Sequence, residues 1–212
     1  MLGLRVTVPV ACFRKGFARE YWETEELPPP STCYGFLLSL VGECDRRRHI
    51  GVRICPGLLG TPDCGAVLRT LWRVKDRHAP LGAGGNARPD FQELLTGVRL
   101  AIWLDSSQET NQGPFLEDRV NLALDHPERI DRFGGLSLGE STHLVDEVTR
   151  LDGQSPISVR AYLEDPAKRG RLSLPVWVDH VGSAGTRHAS GNLEDLEIAA
   201  PPVERMPKIE PR

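Results

Sequence analysis

Three groups of residues in this 212-residue chain have the types and spacing to handle anions. Arg14, Lys15 and Arg19 are interleaved with Phe13, Phe17, Tyr21 and Trp22, a mixture suited to pairing phosphates and stacking bases. The same residues also suit a solvated loop over a small aromatic cluster. Ser31 and Thr32 open a helical pattern. The first free N–H groups and positive dipole end of such a helix attract a phosphate, and the alternative is an ordinary cap. Arg69, Arg73, Lys75, Arg77, His78 and Arg88 form a basic run with Asp76 as its one acidic member.

Other constellations fail on chemistry. Gly134 to Ser141 has the spacing of a phosphate loop but carries Glu140 where the lysine is required, and a carboxylate there repels a nucleotide. What remains is a glycine-rich turn, able through Gly135, Gly139 and Ser141 to approach another chain closely. It also reads as a tight loop in which Ser137 and Glu140 make a capping box. Ser141, His143 and Asp146 have the types of a hydrolytic triad, but no G-x-S-x-G elbow accompanies them. Cys12, Cys33, Cys44, Cys55 and Cys64 are odd in number and never spaced C-x-x-C, so neither a disulfide framework nor a zinc site is expected. No catalytic residue, metal or cofactor is assigned.

The charge is segregated. The net formal charge is −3, yet residues 1–100 hold 14 basic against 10 acidic side chains and residues 101–212 hold 12 against 19. Arg outnumbers Lys 22 to 4, and nine basic residues fall between 46 and 88 against Asp63 and Asp76 alone. A basic first half is the electrostatic footprint of phosphate binding. The N-terminus lacks the charged-then-apolar order of a signal peptide, and no apolar run approaches the roughly 20 residues needed to span a bilayer. A soluble, cytoplasmic chain without membrane partners is expected.

These residues need elements to hold them. Leu4, Val6, Val8 and Val10 alternate as a half-buried strand, and residues 11–30 read as a polar loop ending in three prolines. Tyr34, Leu37, Leu38 and Val41 recur at helical spacing and end at Gly42. Ile50, Val52 and Ile54 make a second strand, 66–75 a third, and 76–89 a mobile projection without periodicity. Val98 to Leu104 alternate again, and Leu116, Val120, Ala123 and Leu124 predict a second helix interrupted near Pro127. A strand is expected over 143–149. Ile157 to Leu163 and Leu172 to Val178 predict a hairpin, and 201–212, with four prolines, an extended or disordered tail. The fold class is α+β. The expected organisation is an RNA-binding domain over 1–150, a β-rich, hairpin-containing C-terminal appendix over 151–200, and the tail.

Phe13-Arg-Lys-Gly-Phe17, followed by Pro28-Pro-Pro-Ser-Thr-Cys-Tyr-Gly-Phe-Leu-Leu-Ser-Leu-Val-Gly42, resembles the N-terminal signature of the CRISPR-associated protein 5 family. Gly135-Leu-Ser-Leu-Gly139-Glu-Ser-Thr-His-Leu-Val-Asp-Glu-Val148 resembles the family's second landmark. The resemblance implies a ferredoxin-like (RRM-like) domain with a protruding thumb, for which 76–89 is the candidate. It implies a non-catalytic subunit of a type I Cascade effector that holds the 5′ handle of CRISPR RNA. Such a subunit caps the backbone filament and contacts the large subunit near the place where target DNA is recognised. Ser31, Thr32, Tyr34, Arg14, Lys15 and the turn from Gly135 to Ser141 would face the handle. One branch of the family cleaves precursor RNA without metal, using a tyrosine, a lysine and a histidine. Here only Lys75, His78 and Tyr34 offer such a trio, at a departing spacing. A handle-generating ribonuclease and a generic protein-interaction module are the competing readings.

Overall fold

A computed structural model describes residues 1–16, 21–72, 74–151, 158–181, 183–197 and 200–211. In chain order the elements are β1 (Leu2–Ala11), β2 (Tyr21–Trp22), α1 (Pro30–Leu40), β3 (Arg53–Leu58), β4 (Asp63–Trp72), β5 (Ala87–Asp105), α2 (Leu116–Asp125), β6 (Glu147–Arg150), β7 (Ser158–Glu164), β8 (Leu172–Trp177) and β9 (Arg187–Glu197). Among the described residues, no helix is long and apolar enough to cross a membrane.

The strands join one sheet in the order β6-β1-β5-β3-β7-β9-β8, with β2 and β4 pairing the first half of β5. β5 is its spine. The alternation that marks Leu100, Ile102 and Leu104 as inward is correct, but Ala101 and Trp103 on the opposite side are buried as well. The first set packs with Leu4, Val6 and Val8 of β1 and with both helices, including Tyr34, Leu37 and Leu38 of α1 and Leu116 and Val120 of α2. The second set forms a smaller cluster with Cys55, Val159, Leu163 and Met206. A strand buried on both faces has to lie centrally, and β5 bonds β1 on one side and β3 on the other.

Helix α1 starts one residue before the expected serine cap. Pro29 is its N-cap and no side chain caps it; Thr32 N–H and Cys33 N–H donate to the Pro29 carbonyl at 2.9 and 3.0 Å. Proline at the first helical position has no N–H to satisfy and a φ already suited to the helix, so the hydroxyls of Ser31 and Thr32 are not needed as caps. The helix stops where the sequence says, with Gly42 at φ +66° and Glu43 N–H bonding the Leu38 carbonyl at 2.9 Å.

Five expectations are corrected. The loop over 11–30 contains β2, which pairs in parallel with Phe91 and Gln92, and a bridge between Arg14 and Thr24. The third strand runs over 63–72 and continues into a long hairpin with β5, registering Leu68 on Phe91 and Trp72 on Ala87. The stretch 76–89 is the tip of that hairpin, and Ala87 to Pro89 already belong to β5. Its loop is pinned by Asn86, only 1% exposed, whose amide donates to the carbonyls of Asp76 and Ala79 at 2.7 and 2.8 Å and accepts from the N–H groups of Lys75 and Asp76. An aperiodic sequence is therefore ordered by one buried amide that satisfies four backbone groups.

β7 and β8 do not form a hairpin with each other. β9 lies between them and pairs with both; its sequence, rich in charged and small residues, carries no alternation that marks a strand. The tail is not free. Met206 and Ile209 are fully buried. Ile209 N–H donates to Val52 O at 2.8 Å, its carbonyl accepts from Gly51 N–H at 2.9 Å, and Pro207 O accepts from Ile54 N–H at 2.9 Å. β3 meets β7 only at Gly57 and Leu58, and the tail supplies hydrogen-bond partners at the other end of β3.

Candidate nucleic-acid interface

Where β1 ends, its last residues meet the start of α1, the base of the β4–β5 hairpin and the glycine turn. Cys12, Phe13, Arg14, Trp22, Pro29, Thr32, Arg69, Gly139, Glu140 and Ser141 line a cleft of about 480 Å³. A neighbouring cleft of about 410 Å³ shares Thr32 and Gly139 and adds Ser31, Tyr34, Gly35, Arg46, Trp177 and His180. Residues more than a hundred positions apart thus form one continuous floor. A nucleotide-sized ligand fits spaces of this volume.

Trp22 organises the cations. The Arg14 guanidinium lies 4.2 Å from its ring centroid and that of Arg69 4.9 Å, both inside the range of cation–π attraction. Arg69 also donates to the Gln92 side chain and lies 3.3 Å from Glu140 Oε2, while Glu140 Oε1 accepts from Gln92 Nε2 at 2.8 Å. The register explains this: Trp22 sits beside Gln92, and Arg69 faces Asp90, all on the side of the hairpin turned to the cleft. On the other side, Tyr21, Leu68 and Phe91 are exposed.

The glycine turn is no helix start; Ser137 bridges Leu144, and Leu138 N–H donates to the His143 carbonyl at 3.0 Å. Gly139 adopts φ +105°, and a Cβ there would stand 2.8 Å from the Cys12 carbonyl oxygen. The turn therefore rests directly on the end of β1. Gly139→Ala is expected to cost about 1–3 kcal/mol in folding stability, the typical cost of a disallowed backbone conformation, checked by urea denaturation. His143 joins the two surfaces: its Nδ1 accepts from Cys12 N–H at 3.1 Å and from Glu140 N–H at 3.2 Å. Burial, more than the nearby charges, pushes its pKa below the usual histidine value. Burial likewise raises that of the Cys12 thiol.

Of the residues singled out in the sequence, the structure brings together Arg14, Thr32, Arg69, Gly139 and Ser141 in one cleft and Ser31, Thr32, Tyr34 and Gly139 in the next. Tyr34 is 4% exposed and its hydroxyl donates to the Arg46 carbonyl at 2.8 Å, so it contributes a wall and not a free hydroxyl. Lys15 pairs with Glu23 at 3.1 Å. Lys75, Arg77, His78 and Arg88 lie at the hairpin tip, away from the clefts' lining, with Arg88 Nε 3.9 Å from Asp90. Gly135 is on the far arm of the turn, against Leu144. Arg19 and Arg73 lie outside the described residues. Sequence reasoning named Trp22 among the stacking aromatics without placing it against both Arg14 and Arg69, and left out Glu140 and Gln92 as holders of Arg69, His143 as the clamp, and Arg46, which stacks on Trp177 at 3.9 Å. Only the aromatic–basic interleaving around Trp22 gave a signal. Among the described residues, no group of three or more His, Cys, Asp or Glu is placed to hold a metal.

No protein-family model matches the chain. It is 52% identical over 210 residues to the CRISPR-associated protein Cas5 of Myxococcus xanthus (strain DK1622), covering 99% of this chain and 97% of the relative. A chain of a CRISPR RNA-guided surveillance complex superposes with a TM-score of 0.62 at 13% identity, covering 93% of this chain and 89% of that one. A second solved structure, a crystal structure of a Cas protein, gives a TM-score of 0.50 at 16% identity, with coverage of 98% and 97%.

Proposed function

This chain belongs to the CRISPR-associated Cas5 family, and on that premise we propose that it is the non-catalytic subunit that grips the 5′ handle of a CRISPR RNA in a cytoplasmic type I Cascade effector. It caps the backbone filament and touches the large subunit near the target-DNA recognition site. The observation that carries this reading is the convergence of Arg14, Trp22, Arg69, Thr32 and the glycine turn on one cleft. Single-stranded RNA is held by this kind of pairing, with cations for the backbone and an aromatic face for a base.

The fold supports the same assignment. With α1 between β1 and β3, α2 between β5 and β6, and the order β6-β1-β5-β3, the first 150 residues follow the split βαβ scheme of ferredoxin-like domains. The β4–β5 hairpin is the thumb, and its basic tip, with Lys75, Arg77, His78 and Arg88, extends the grip beyond the cleft. The acidic second half faces basic surfaces of neighbouring subunits.

Tyr34 is packed in the core, so the trio with Lys75 and His78 is not a nuclease site in this reading. Incubating repeat RNA with the protein in EDTA tests this: an intact repeat agrees, and a cut at the handle junction overturns it. Arg69→Ala and Arg14→Ala are each expected to weaken binding of a handle oligonucleotide about tenfold and to reduce the salt slope by roughly 1, as loss of one phosphate contact does. Equal binding of handle RNA and a scrambled RNA of the same length would refute the assignment.

A further inference from the structure

We propose that His143 is a positioning residue for RNA: its unprotonated Nδ1 clamps the glycine turn onto the end of β1, and gaining a proton opens the cleft. The inference rests on the RNA-binding reading above, but the clamp itself is a matter of geometry. A backbone N–H can only donate, so Nδ1, approached by the N–H groups of Cys12 and Glu140 at 3.1 and 3.2 Å, must be an acceptor. The ring's proton then resides on Nε2, which faces Glu140 Oε2 at 4.0 Å.

The Gly139 backbone is seated against the Cys12 carbonyl so closely that a Cβ would clash, and the imidazole, 8% exposed, fills the space beneath. A proton on Nδ1 would set three donors against one another. Both bonds would be lost, and the turn would have to lift away from Cys12. That movement displaces Gly139, Glu140 and Ser141, all of which line the first cleft. It also withdraws Glu140 from Arg69 and Gln92, the partners that hold Arg69 beside Trp22.

The groups around the ring come from three elements. Glu140 on the turn favours the charged form, Arg69 on β4 opposes it, and burial opposes it most. The end of β1 contributes the Cys12 thiol, itself kept neutral by burial, and Arg14. The net direction is a folded-state pKa below the ordinary 6.5. The neutral ring's stabilising effect is therefore complete above pH 6.5. It declines as pH falls from there to the lowered folded value, because the unfolded chain takes up the proton first.

Asparagine separates the clamp from the charge, since its Oδ1 occupies the position of Nδ1 and accepts without titrating. The experiment uses the full chain, with binding of a handle oligonucleotide and hydrogen exchange of the Cys12 and Glu140 amides, corrected for intrinsic rate. Both are measured at about pH 7.5 and about pH 5.5, the range over which histidine titrates. The wild type is expected to lose affinity about threefold at the lower pH, less than the roughly tenfold that a histidine of ordinary pKa would give there, because burial lowers the value and leaves part of the population neutral. Both amides should lose protection in parallel. His143→Asn should hold its affinity and protection at both values, and His143→Ala should be weak and unprotected at both. The other histidines are common to all three proteins, so a shared pH response in His143→Asn would overturn the proposal. Amides that stay protected in the wild type at the lower pH would overturn it too. Amide release with no RNA bound at either pH would uphold the clamp and refute the RNA reading.

Discussion

Met206→Ala/Ile209→Ala is expected to remove about 5 kcal/mol of folding stability, enough to leave the chain largely unfolded in modest urea. Each side chain is fully buried, and truncation of a buried Met or Ile to Ala costs about 2–5 kcal/mol through lost transfer energy and the cavity left behind. The two effects should add, because Ile209 belongs to the cluster under the helices and Met206 to the cluster on the other face of the sheet. A domain of this size has about 5–15 kcal/mol in total. The tail is thus a peg through both layers, and it reaches the cleft indirectly by fixing β3, against which α1 packs. A urea midpoint that moves by an amount worth less than about 2 kcal/mol would show that the segment is only appended.

Glu109→Ala should cost about 3–5 kcal/mol, the usual result of orphaning the partners of a buried charge. Both Glu109 and His49 have wholly buried side chains, with Glu109 Oε2 2.7 Å from His49 Nδ1. Glu109 Oε1 also accepts from Leu116 N–H at 2.8 Å, at the positive end of α2. Arg119 completes the network, donating to His49 Nε2 at 2.9 Å, to Glu43 Oε2 at 2.5 Å and to the Val41 carbonyl at 3.1 Å. Since Arg119 can only donate, His49 Nε2 accepts and His49 Nδ1–H donates to Glu109. The network ties the end of α1 to α2 across the segment that carries Arg46. Arg46 in turn donates to the Val178 carbonyl at 2.6 Å and covers Trp177. The expected melting point falls by roughly 10 °C, and Glu109→Gln, which keeps an acceptor, should lose less than half as much. Equal losses in the two variants would mean that shape, and not the acceptor, is what the site requires.

This network and the clamp at His143 each give a histidine a defined proton. His49 carries it on Nδ1 and His143 on Nε2. Neither assignment follows from residue type. Each follows from groups that can only donate to the ring's other nitrogen: a guanidinium at His49 Nε2 and two backbone amides at His143 Nδ1.

Much of the fold is legible in the order of apolar residues. Leu4, Val6 and Val8 alternate because one face of β1 meets the helices, and Tyr34, Leu37, Leu38 and Val41 repeat at helical spacing because one stripe of α1 meets the sheet. Gly42 ends that helix for a local reason, its left-handed backbone. The basic run and the aromatic–basic mixture near Arg14 are also local facts. With the helix start at Thr32 and the glycine-rich turn, they were enough to select residues that the structure then gathers, Arg14, Thr32, Arg69, Gly139 and Ser141.

Only the tertiary structure decided which strands are neighbours. β9 separates β7 from β8 although its own sequence looks like a loop, because a strand between two partners can satisfy its backbone on both sides whatever its side chains are. Met206 and Ile209 become core because the tail supplies backbone partners along β3 where β7 does not. Trp22 becomes a platform through a two-residue parallel pairing that no periodicity could announce. Side-chain pattern within an element is a short-range property and is written in the chain. Sheet order, the burial of the tail and the meeting of Arg14 with Arg69 depend on hydrogen-bond pairing and desolvation between segments that are distant in sequence, and these are settled only when the chain closes on itself.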